Sequence, residues 1–454
     1  MADMKKKMEG KSLDERKEYV LKTAKEHDVK FVWLWFTDIL GFLKSFAIPI
    51  GELELALAEG VGFDGSSIEG FARIDESDMM AWPDPDTFAL LPWIPTEHAA
   101  TARIFCDIHK PNGEPLEGDP RFVLRRNLKK ATEKGFTYYV GPELEYFYFK
   151  DATGCEPLDV GGYFDMTPPD AAHDLRRDTV LTLQAMGIDI DKSHHEVSPS
   201  QHEIDMRYTD ALTMADNVMT YRLVVKQVAL NHGVYATFMP KPVFGINGSG
   251  MHVHQSLFRG EQNVFFDKNG KFHLSKTALG FLAGLLKYAP EFTAVTSQWV
   301  NSYKRLVPGY EAPVYLSWAI RNRSDLIRVP EYKPGNEEAT RFELRSPDPA
   351  CNPYLTFSVM LAAGLAGIDE GLVPPDSVEG NVYEMSPEER EKKGIGTLPA
   401  SLIEALALME KSKLVKEALG EHTFNAFIEN KKHEWDDYRI HVTDYEVNKY
   451  LPVL

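Results

Sequence analysis

The 454-residue chain is predicted to fold as a mixed α+β protein in two unequal domains. Three observations predict it: a length beyond one ordinary domain, strand-like runs that alternate with helical ones through the C-terminal three-quarters, and a turn-rich break in front of them. The break is Lys110-Pro-Asn-Gly-Glu-Pro115 followed by Gly118-Asp-Pro120. It places a boundary near residue 115, giving domains 1–115 and 116–454.

In order, Ser12-Leu-Asp-Glu15 has capping-box spacing and opens a helix to about His27. Lys30 to Phe36 and Phe42 to Ile48 are aromatic and β-branched runs around Thr-Asp-Ile-Leu-Gly41, a hairpin. Gly51 to Glu59 is a short helix ended by Gly60, and Phe63 to Pro95, rich in Gly, Ser, Asp and Pro, is irregular loop between short strands. After the break Arg121 to Lys134 is helical. Further helices are expected at about 170–186, 209–232, 275–289, 352–370, 399–410 and 421–435, with strands between them.

Composition excludes several classes. With 50 Lys+Arg against 68 Asp+Glu the net charge is −18, which disfavours nucleic acid or an anionic membrane surface as the main partner. Three cysteines, Cys106, Cys155 and Cys351, stand far apart with no Cys-x-x-Cys, so neither a disulfide framework nor a thiolate metal site is expected. The N-terminus lacks a signal-peptide stretch, and the longest apolar run, Ala278 to Leu286, is too short for a bilayer. A soluble protein of the reducing cytoplasm is the expectation.

Four segments place polar residues at every second position of a strand-like run: Gly-Pro-Glu143-Leu-Glu145-Tyr, Gln201-His202-Glu203-Ile-Asp205, Gly-Met-His252-Val-His254-Gln-Ser256 and Arg341-Phe-Glu343-Leu-Arg345. Side chains at i and i+2 share a face of a strand, so each segment aims ionisable groups to one side and apolar groups to the other. A Glu-x-Glu alone is ordinarily the solvated face of a half-buried sheet. Here Tyr138 to Phe149 is dense in aromatics, which marks a central strand whose two carboxylates need cations or donors. Positions i and i+2 lie roughly 6.6 Å apart along a strand, a spacing that suits two separate ions. Glu196 and Glu203 flank the turn Val-Ser-Pro-Ser-Gln-His, which folds back or is a plain polar loop; His252 and His254 follow the glycine-rich Asn247-Gly248-Ser249-Gly250 and are ligands or structural histidines. Acidic candidates outnumber histidines, which favours Mg²⁺ or Mn²⁺ over Zn²⁺.

Arg305, Arg321, Arg323, Arg328, Arg341 and Arg345 cluster within about forty residues, either as surface ion pairs or as a cradle for anions. No Walker A motif is present, so a nucleotide would be held through metals and arginines. Val307-Pro-Gly-Tyr-Glu311-Ala-Pro313 is a punctuated loop of the kind that closes over sites or stays a surface loop.

These runs, together with Phe63-Asp64-Gly-Ser-Ser67-Ile-Glu-Gly70, His194-His-Glu196, Asn301-Ser-Tyr-Lys-Arg-Leu306 and Pro347-Asp-Pro-Ala-Cys-Asn-Pro-Tyr354, resemble the type I glutamine synthetase family over nearly the whole chain and in the family's order. The resemblance implies a small N-terminal β-grasp domain, a large catalytic domain with a curved antiparallel sheet flanked by helices, and a homo-oligomer of two stacked hexameric rings with shared active sites. It implies one metal on Glu145, Glu196 and Glu203 at the ammonium and glutamate side, and another on Glu143, His252 and Glu343 at the ATP phosphates. Arg323, Arg328 and Arg341, with His254 and Ser256, would hold ATP. Asn247, Gly248, His252, Arg305, Glu311 and Arg345 would hold glutamate. Ammonium would sit among Asp64, Ser67, Tyr163 and Glu196, with Asp64 as base and Glu311 and Arg323 as further catalytic residues. The reaction implied is ATP-dependent ligation of ammonia to glutamate through γ-glutamyl phosphate.

Adenylylated relatives carry a tyrosine in Asn-Leu-Tyr-Asp-Leu-Pro-Pro-Glu-Glu, whereas this chain reads Asn381-Val-Tyr383-Glu-Met-Ser-Pro-Glu-Glu389, which argues against modification of Tyr383. Ile68 to Asp78 resembles the shorter, feedback-controlled subtype, in which Arg73 would respond to effectors such as glutamine, nucleotides, 2-oxoglutarate or a small regulatory protein. Glu338 stands where some relatives have a basic residue near the nucleotide. Two alternatives remain: a ligase joining glutamate to a larger amine such as a polyamine, and a catalytically inactive structural relative. The first would alter the ammonium pocket, and the second would have lost metal carboxylates.

Overall fold

The computed structural model describes residue 8 and residues 10–70, 77–94, 100–309 and 312–454. Arg73 and Glu311 lie outside the described residues. Ser12 caps α1 (Leu13–Glu26) with the full reciprocal box to Glu15. The hairpin forms as β1 (Val29–Thr37) and β2 (Leu43–Pro49), antiparallel across the 38–42 turn. After α2 (Leu53–Glu59), Gly60 stops the helix at a φ of 74°. The loop-rich stretch contributes β3 (Val61–Asp64), β4 (Asp78–Pro83) and β5 (Ala89–Leu90), and β6 (Ala100–His109) completes a six-stranded sheet in the order β2-β1-β6-β4-β3, with β5 beside β6. Only the β1–β6 pair is parallel. Val20, Val32, Leu34, Ile104 and Ile108 bury their side chains together in its core.

Asp119 then caps α3 (Pro120–Glu133). A ten-stranded sheet follows, built on β7 (Thr137–Phe149), β8 (Ile190–His195), β9 (Gln201–Met206), β12 (Met251–Arg259), β14 (Trp318–Ala319), β15 (Ile327–Arg328) and β16 (Phe342–Leu344), in the order β14-β15-β16-β12-β7-β9-β8. The short strands β10 (Thr209–Asp210) and β11 (Tyr235–Thr237) add to β7, and β13 (Gln262–Asn263) adds to β12. The sheet is antiparallel except for β14–β15: the chain loops back through 320–326 and enters the second strand in the same direction.

The helices are α4 (His173–Ala185), α5 (Ala211–Asn231), α6 (Lys276–Thr296), α7 (Ser302–Arg305), α8 (Pro353–Asp369), α9 (Pro387–Lys392), α10 (Leu402–Met409), α11 (Lys413–Leu419), α12 (Glu421–Arg439) and α13 (Asp444–Tyr450). Helix α6 runs past Pro290, where the sequence pattern stops. Its continuation buries Phe292, Thr293 and Val295, and that burial offsets the hydrogen bond lost at the proline. The even-numbered face of β7, with Tyr138, Leu144, Tyr146 and Tyr148, joins Tyr221, Phe281 and Phe357 from the helices in the main core. The odd-numbered face carries Glu143 and Glu145, with Phe147 and Phe149 buried and stacked farther along it.

The two parts are joined by polar contacts. Arg121 at the start of α3 pairs with Asp84 and Asp107 of the N-terminal part and with Asp216 of α5. Asn352 donates to the carbonyls of Asp38 and Ile39, and Gln298 to that of Leu40, which fixes the β1–β2 turn on the larger part. No helix among the described residues is long and apolar enough to cross a membrane.

Candidate active site

Register brings the alternating segments together. Glu143 on β7 lies opposite His252 on β12 and opposite Asp205 on β9, and Glu145 lies opposite Glu203. Glu203 in turn faces His194 on β8, while His254 faces Glu343 on β16, which faces Arg328 on β15. Each of these strands turns its apolar alternate residues, such as Leu144, Val253, Ile204 and Phe342, into the core. The polar ones therefore make one continuous charged face.

That face divides into clusters. Glu143, His252 and Glu343 each offer a ligand atom, and these atoms lie within 4.8 Å of one another. His252 Nδ1 is 3.6 Å from Glu143 and 3.8 Å from Glu343. Burial pushes the Glu343 carboxyl up, but Arg345, His254, His252 and Arg328 outweigh it and hold the group at about 2. Burial likewise raises Glu143, and His254 and His252 outweigh it, so this carboxyl also sits well below its usual range. Burial and Arg345 push the His252 imidazole down to about 4, so it is a neutral ligand at physiological pH. Arg341 Nε donates to His254 Nδ1 at 3.2 Å; the Nε2 proton of His254 is therefore directed to Glu143, 3.0 Å away. Both His254 nitrogens are thus engaged, and this histidine positions Glu143 rather than offering a lone pair.

In a second cluster, His194, Glu196 and Glu203 likewise bring ligand atoms within 4.8 Å of one another. His194 Nε2 is 3.3 Å from Glu203, and its Nδ1 is 3.5 Å from Glu196. Burial, with Asp205 and Glu143 nearby, drives the Glu203 carboxyl well above the usual range. Glu145 stands beside this cluster rather than within it. Its Oε2 accepts from Gln201 Nε2 and from the Gly250 amide, each at 2.9 Å, and burial raises it to about 7. Two carboxyls that burial pushes up, next to a His194 imidazole that burial pushes down, make a donor set that fits a divalent cation.

Two pockets adjoin these clusters. One is lined by Glu145, Glu196, Gln201, Asn247, Gly248, Gly250, His252, Arg305 and Arg345. Arg305 is fixed there by the carbonyls of Arg345, Ser346 and Pro347. A side chain on Gly248 would place its Cβ 2.2 Å from the Pro240 carbonyl, so only glycine lets the backbone pass. The other pocket, of about 510 Å³, holds Glu143, His254, Ser256, Arg341 and Glu338 with Tyr139, Lys192, Asp205 and Tyr208. Its volume suits a nucleoside, and Tyr208 is 60% exposed on its wall.

Comparison with known proteins now decides the family. The model for "Glutamine synthetase, catalytic domain" matches residues 117–450, and that for "Glutamine synthetase, beta-Grasp domain" matches residues 28–111. The chain belongs to the glutamine synthetase family. It is 55% identical to a glutamine synthetase of Mycolicibacterium smegmatis over 97% of this chain and 100% of that one. It is 54% identical to one of Methanosarcina mazei and 51% identical to one of Staphylococcus aureus, each over 96% of this chain and 98% of the relative. Among solved structures, a GmaS/ADP complex superposes with a TM-score of 0.87 at 31% identity, covering 95% of this chain and 99% of that one. The Plasmodium falciparum glutamine synthetase superposes at 0.86 with 27% identity, over 97% and 99%.

The remaining residues read from the sequence are placed unevenly. Arg328 and Arg345 both bind the Glu343 carboxylate. Tyr163 stacks on Phe164 and meets the His194 ring edge-on at 5.5 Å; burial and Glu196 raise its phenol, while a hydrogen bond with the exposed Arg323 works against them. Asp64, at the end of β3, and Ser67, in the turn after it, are exposed; Asp64 accepts from the Ser66 amide at 2.8 Å, and neither lines the two pockets above.

Several side chains at or beside this site were not singled out from the sequence. Gln201, which bonds both Glu145 and the Gly248 carbonyl, sits in the alternating pattern that marked Glu203 and was legible there. His194, two residues before Glu196, was legible by the same spacing. Asp159 gave no signal. It lies in irregular chain on the opposite face of the sheet, where it accepts from the Ser200 amide at 2.8 Å and sits 3.0 Å from His195 Nε2; His195 Nδ1 donates to the Glu196 carbonyl at 2.7 Å. Ser200, at a φ of 59°, accepts in return from the amides of Leu158 and Asp159. This exchange pins the Glu196–Gln201 turn to the loop that carries Tyr163.

Proposed function

We propose that this chain ligates ammonia to L-glutamate with ATP, through γ-glutamyl phosphate, at the charged face of the ten-stranded sheet. The observation that carries the reading is the run of carboxylate and imidazole groups along that face: Glu143, His252 and Glu343 beside a nucleoside-sized pocket, His194, Glu196 and Glu203 beside the pocket of Arg305 and Gly248, and Asp205 bridging them between Glu143 and Glu203. Two divalent ions, Mg²⁺ or Mn²⁺, are proposed: one on Glu143, His252 and Glu343, the other on Glu196 and Glu203 with Glu145 turning in from its bonds to Gln201 and Gly250. When bound, such ions neutralise phosphate and carboxylate charge and so permit two anions to approach.

The chain's own residues do the rest. Arg341 and Arg328, with Arg323, face the ATP phosphates; His254 and Ser256 lie beside the nucleotide, and Tyr208 offers a face to its base. Arg305, Arg345, Asn247, Gly248 and His252 hold glutamate so that its γ-carboxylate meets the terminal phosphorus. Ammonium, held by Tyr163, Glu196, Ser67 and Asp64, gives a proton to Asp64, and its nitrogen attacks the acyl carbon of γ-glutamyl phosphate, whose bond to the phosphate oxygen breaks to release inorganic phosphate and leave the amide. Glu311, on its loop, shields that phosphate from water.

Asp64 and Ser67 lie away from the catalytic strands of their own chain. We therefore infer that they serve a neighbouring subunit, in two stacked hexameric rings. The boundary is placed near residue 115, and the protein is read as cytoplasmic. Arg73 is proposed as a feedback residue, for which Arg73→Ala should relieve inhibition by glutamine or nucleotides. Tyr383 is read as unmodified, since its half-buried hydroxyl already donates to the Ala312 carbonyl at 2.9 Å. The activity is tested by phosphate release from purified protein with glutamate, ATP and Mg²⁺, comparing ammonium with putrescine and ethanolamine. Ammonium-supported turnover is expected, and turnover confined to the larger amines would overturn the reading.

A further inference from the structure

A cavity of about 790 Å³ opens away from the catalytic face, at the seam where the β1–β2 turn meets α5, α12 and the segment around Trp299. Its walls are mostly apolar, with Leu40, Phe42, Met219, Leu223, Phe238 and Trp299 among them. Three cations border this apolar space, Arg222 buried in its wall and Lys226 and Lys304 exposed at its edge.

Arg222, 9% exposed, gives one guanidinium nitrogen to the Cys351 carbonyl, and its Nε has no hydrogen-bond partner. Lys226, one turn along α5, stands at the opening, and burial together with Arg222 pushes its ammonium pKa down. Lys304 leans on the Tyr438 ring at 5.3 Å. Among the described residues none of the three has a carboxylate within salt-bridge distance. The one carboxylate on the wall, Glu434, is already held by Lys431 at 2.8 Å and by the Val300 amide at 2.9 Å. Positive charge therefore gathers beside an apolar surface: the buried Arg222 feels, among carboxylates, only the more distant Asp348 and keeps its Nε unpartnered, and the two exposed lysines stay solvated until an anion displaces their water.

We propose that this cavity is a binding site for a small amphiphilic anion, an aromatic or branched aliphatic carboxylate whose acid group meets Arg222, Lys226 and Lys304 and whose apolar body lies against Phe42, Phe238 and Trp299. The volume is that of a drug-sized ligand site, and few polar groups fix the orientation. A second copy of the chain is the competing occupant. The site touches the catalytic machinery through the backbone: Asn301, on its wall, exchanges two hydrogen bonds with Lys241, and Pro240, also on its wall, accepts from the Ser249 amide at 2.8 Å beside the glutamate pocket. A ligand here is thus placed to act on glutamate affinity.

The test uses the native, fully assembled protein and two fluorescent probes of similar shape, anionic 8-anilinonaphthalene-1-sulfonate and neutral N-phenyl-1-naphthylamine, in the presence of saturating ADP and Mg²⁺. The anionic probe is expected to bind at least tenfold more tightly. 4-Phenylbutanoate should displace it, and 4-phenylbutanol should not. Lys226→Ala combined with Lys304→Ala should weaken it tenfold or more while circular dichroism stays unchanged, and Leu223→Trp, which fills the cavity, should abolish binding. Equal affinity for the two probes, no effect of the lysine changes, or an assembled protein that takes up no probe because a second copy covers the opening would each overturn the proposal.

Discussion

Glu203 lies with Asp205 and Glu143 as close neighbours, and Glu145 lies in the next pair along the same strands. Burial is the larger part of what raises both, Glu145 to about 7 from an ordinary 4.5. The sign is therefore fixed. In the metal-free protein the Glu145 contribution to stability is complete below pH 4.5 and is lost as pH rises through about 7. A bound cation takes the ionised form, so its affinity should rise across pH 6 to 8, by up to about tenfold per pH unit for each proton released. Titration calorimetry of Mn²⁺ in two buffers of different ionisation heat should show proton release near pH 6.5, reduced in Glu145→Gln; pH-independent affinity would contradict the origin assigned to these shifts. Asp64 tests a different role. As the base for ammonium, Asp64→Asn should cut ammonium-dependent turnover by about 10² or more while leaving ATP affinity in place, and equal losses in both would remove it from that role.

The elements explain which residues were legible. Alternation along β7, β9, β12 and β16 exposed Glu143, Glu145, Glu203, His252, His254 and Glu343 in the sequence because a strand has a fixed period of two. Register added what sequence cannot: Glu143 was free to face any strand until β12 and β9 paired on either side of it. Short helices such as α11 and α13 were missed because seven residues carry too little period to stand out, and α6 was cut short because Pro290 reads as an end. Asp159 acts through folded contacts with Ser200 and His195, so no local pattern marks it. Asp159→Asn should loosen the Glu196–Gln201 turn and weaken metal affinity by about 10- to 100-fold, as loss of an outer support typically does. The control is nucleotide-pocket binding of ATP analogues without metal, which should be unchanged. Gly248→Ala, with its Cβ driven against the Pro240 carbonyl, should raise the KM for glutamate more than that for ATP. The reverse order would place glutamate elsewhere.

At the scale of the whole molecule, the N-terminal sheet is joined to the catalytic part through Arg121 and its three aspartates. Burial raises Asp84, but Arg121 and Arg125 outweigh it and hold the carboxyl at about 2. Its contribution to stability is present above pH 3.8 and is lost as pH falls through about 2. Arg121→Ala leaves buried carboxylates unpaired and should cost about 3–5 kcal/mol, read as a lowered thermal midpoint at neutral pH. A change within experimental error would show that this ion-pair joint does not hold the parts together. Sequence patterns anticipated the two parts and their order, but not this joint, whose three partners lie 14, 37 and 95 residues from Arg121 along the chain.

The division of one charged sheet face into two ion sites is what the reading of this protein depends on most. Mn²⁺ binding followed by electron paramagnetic resonance and by stoichiometric titration tests it directly. Two ions per chain are expected, with Glu343→Gln removing the one that ADP strengthens and Glu196→Gln removing the other. A single ion per chain, lost equally on either change, would contradict the division.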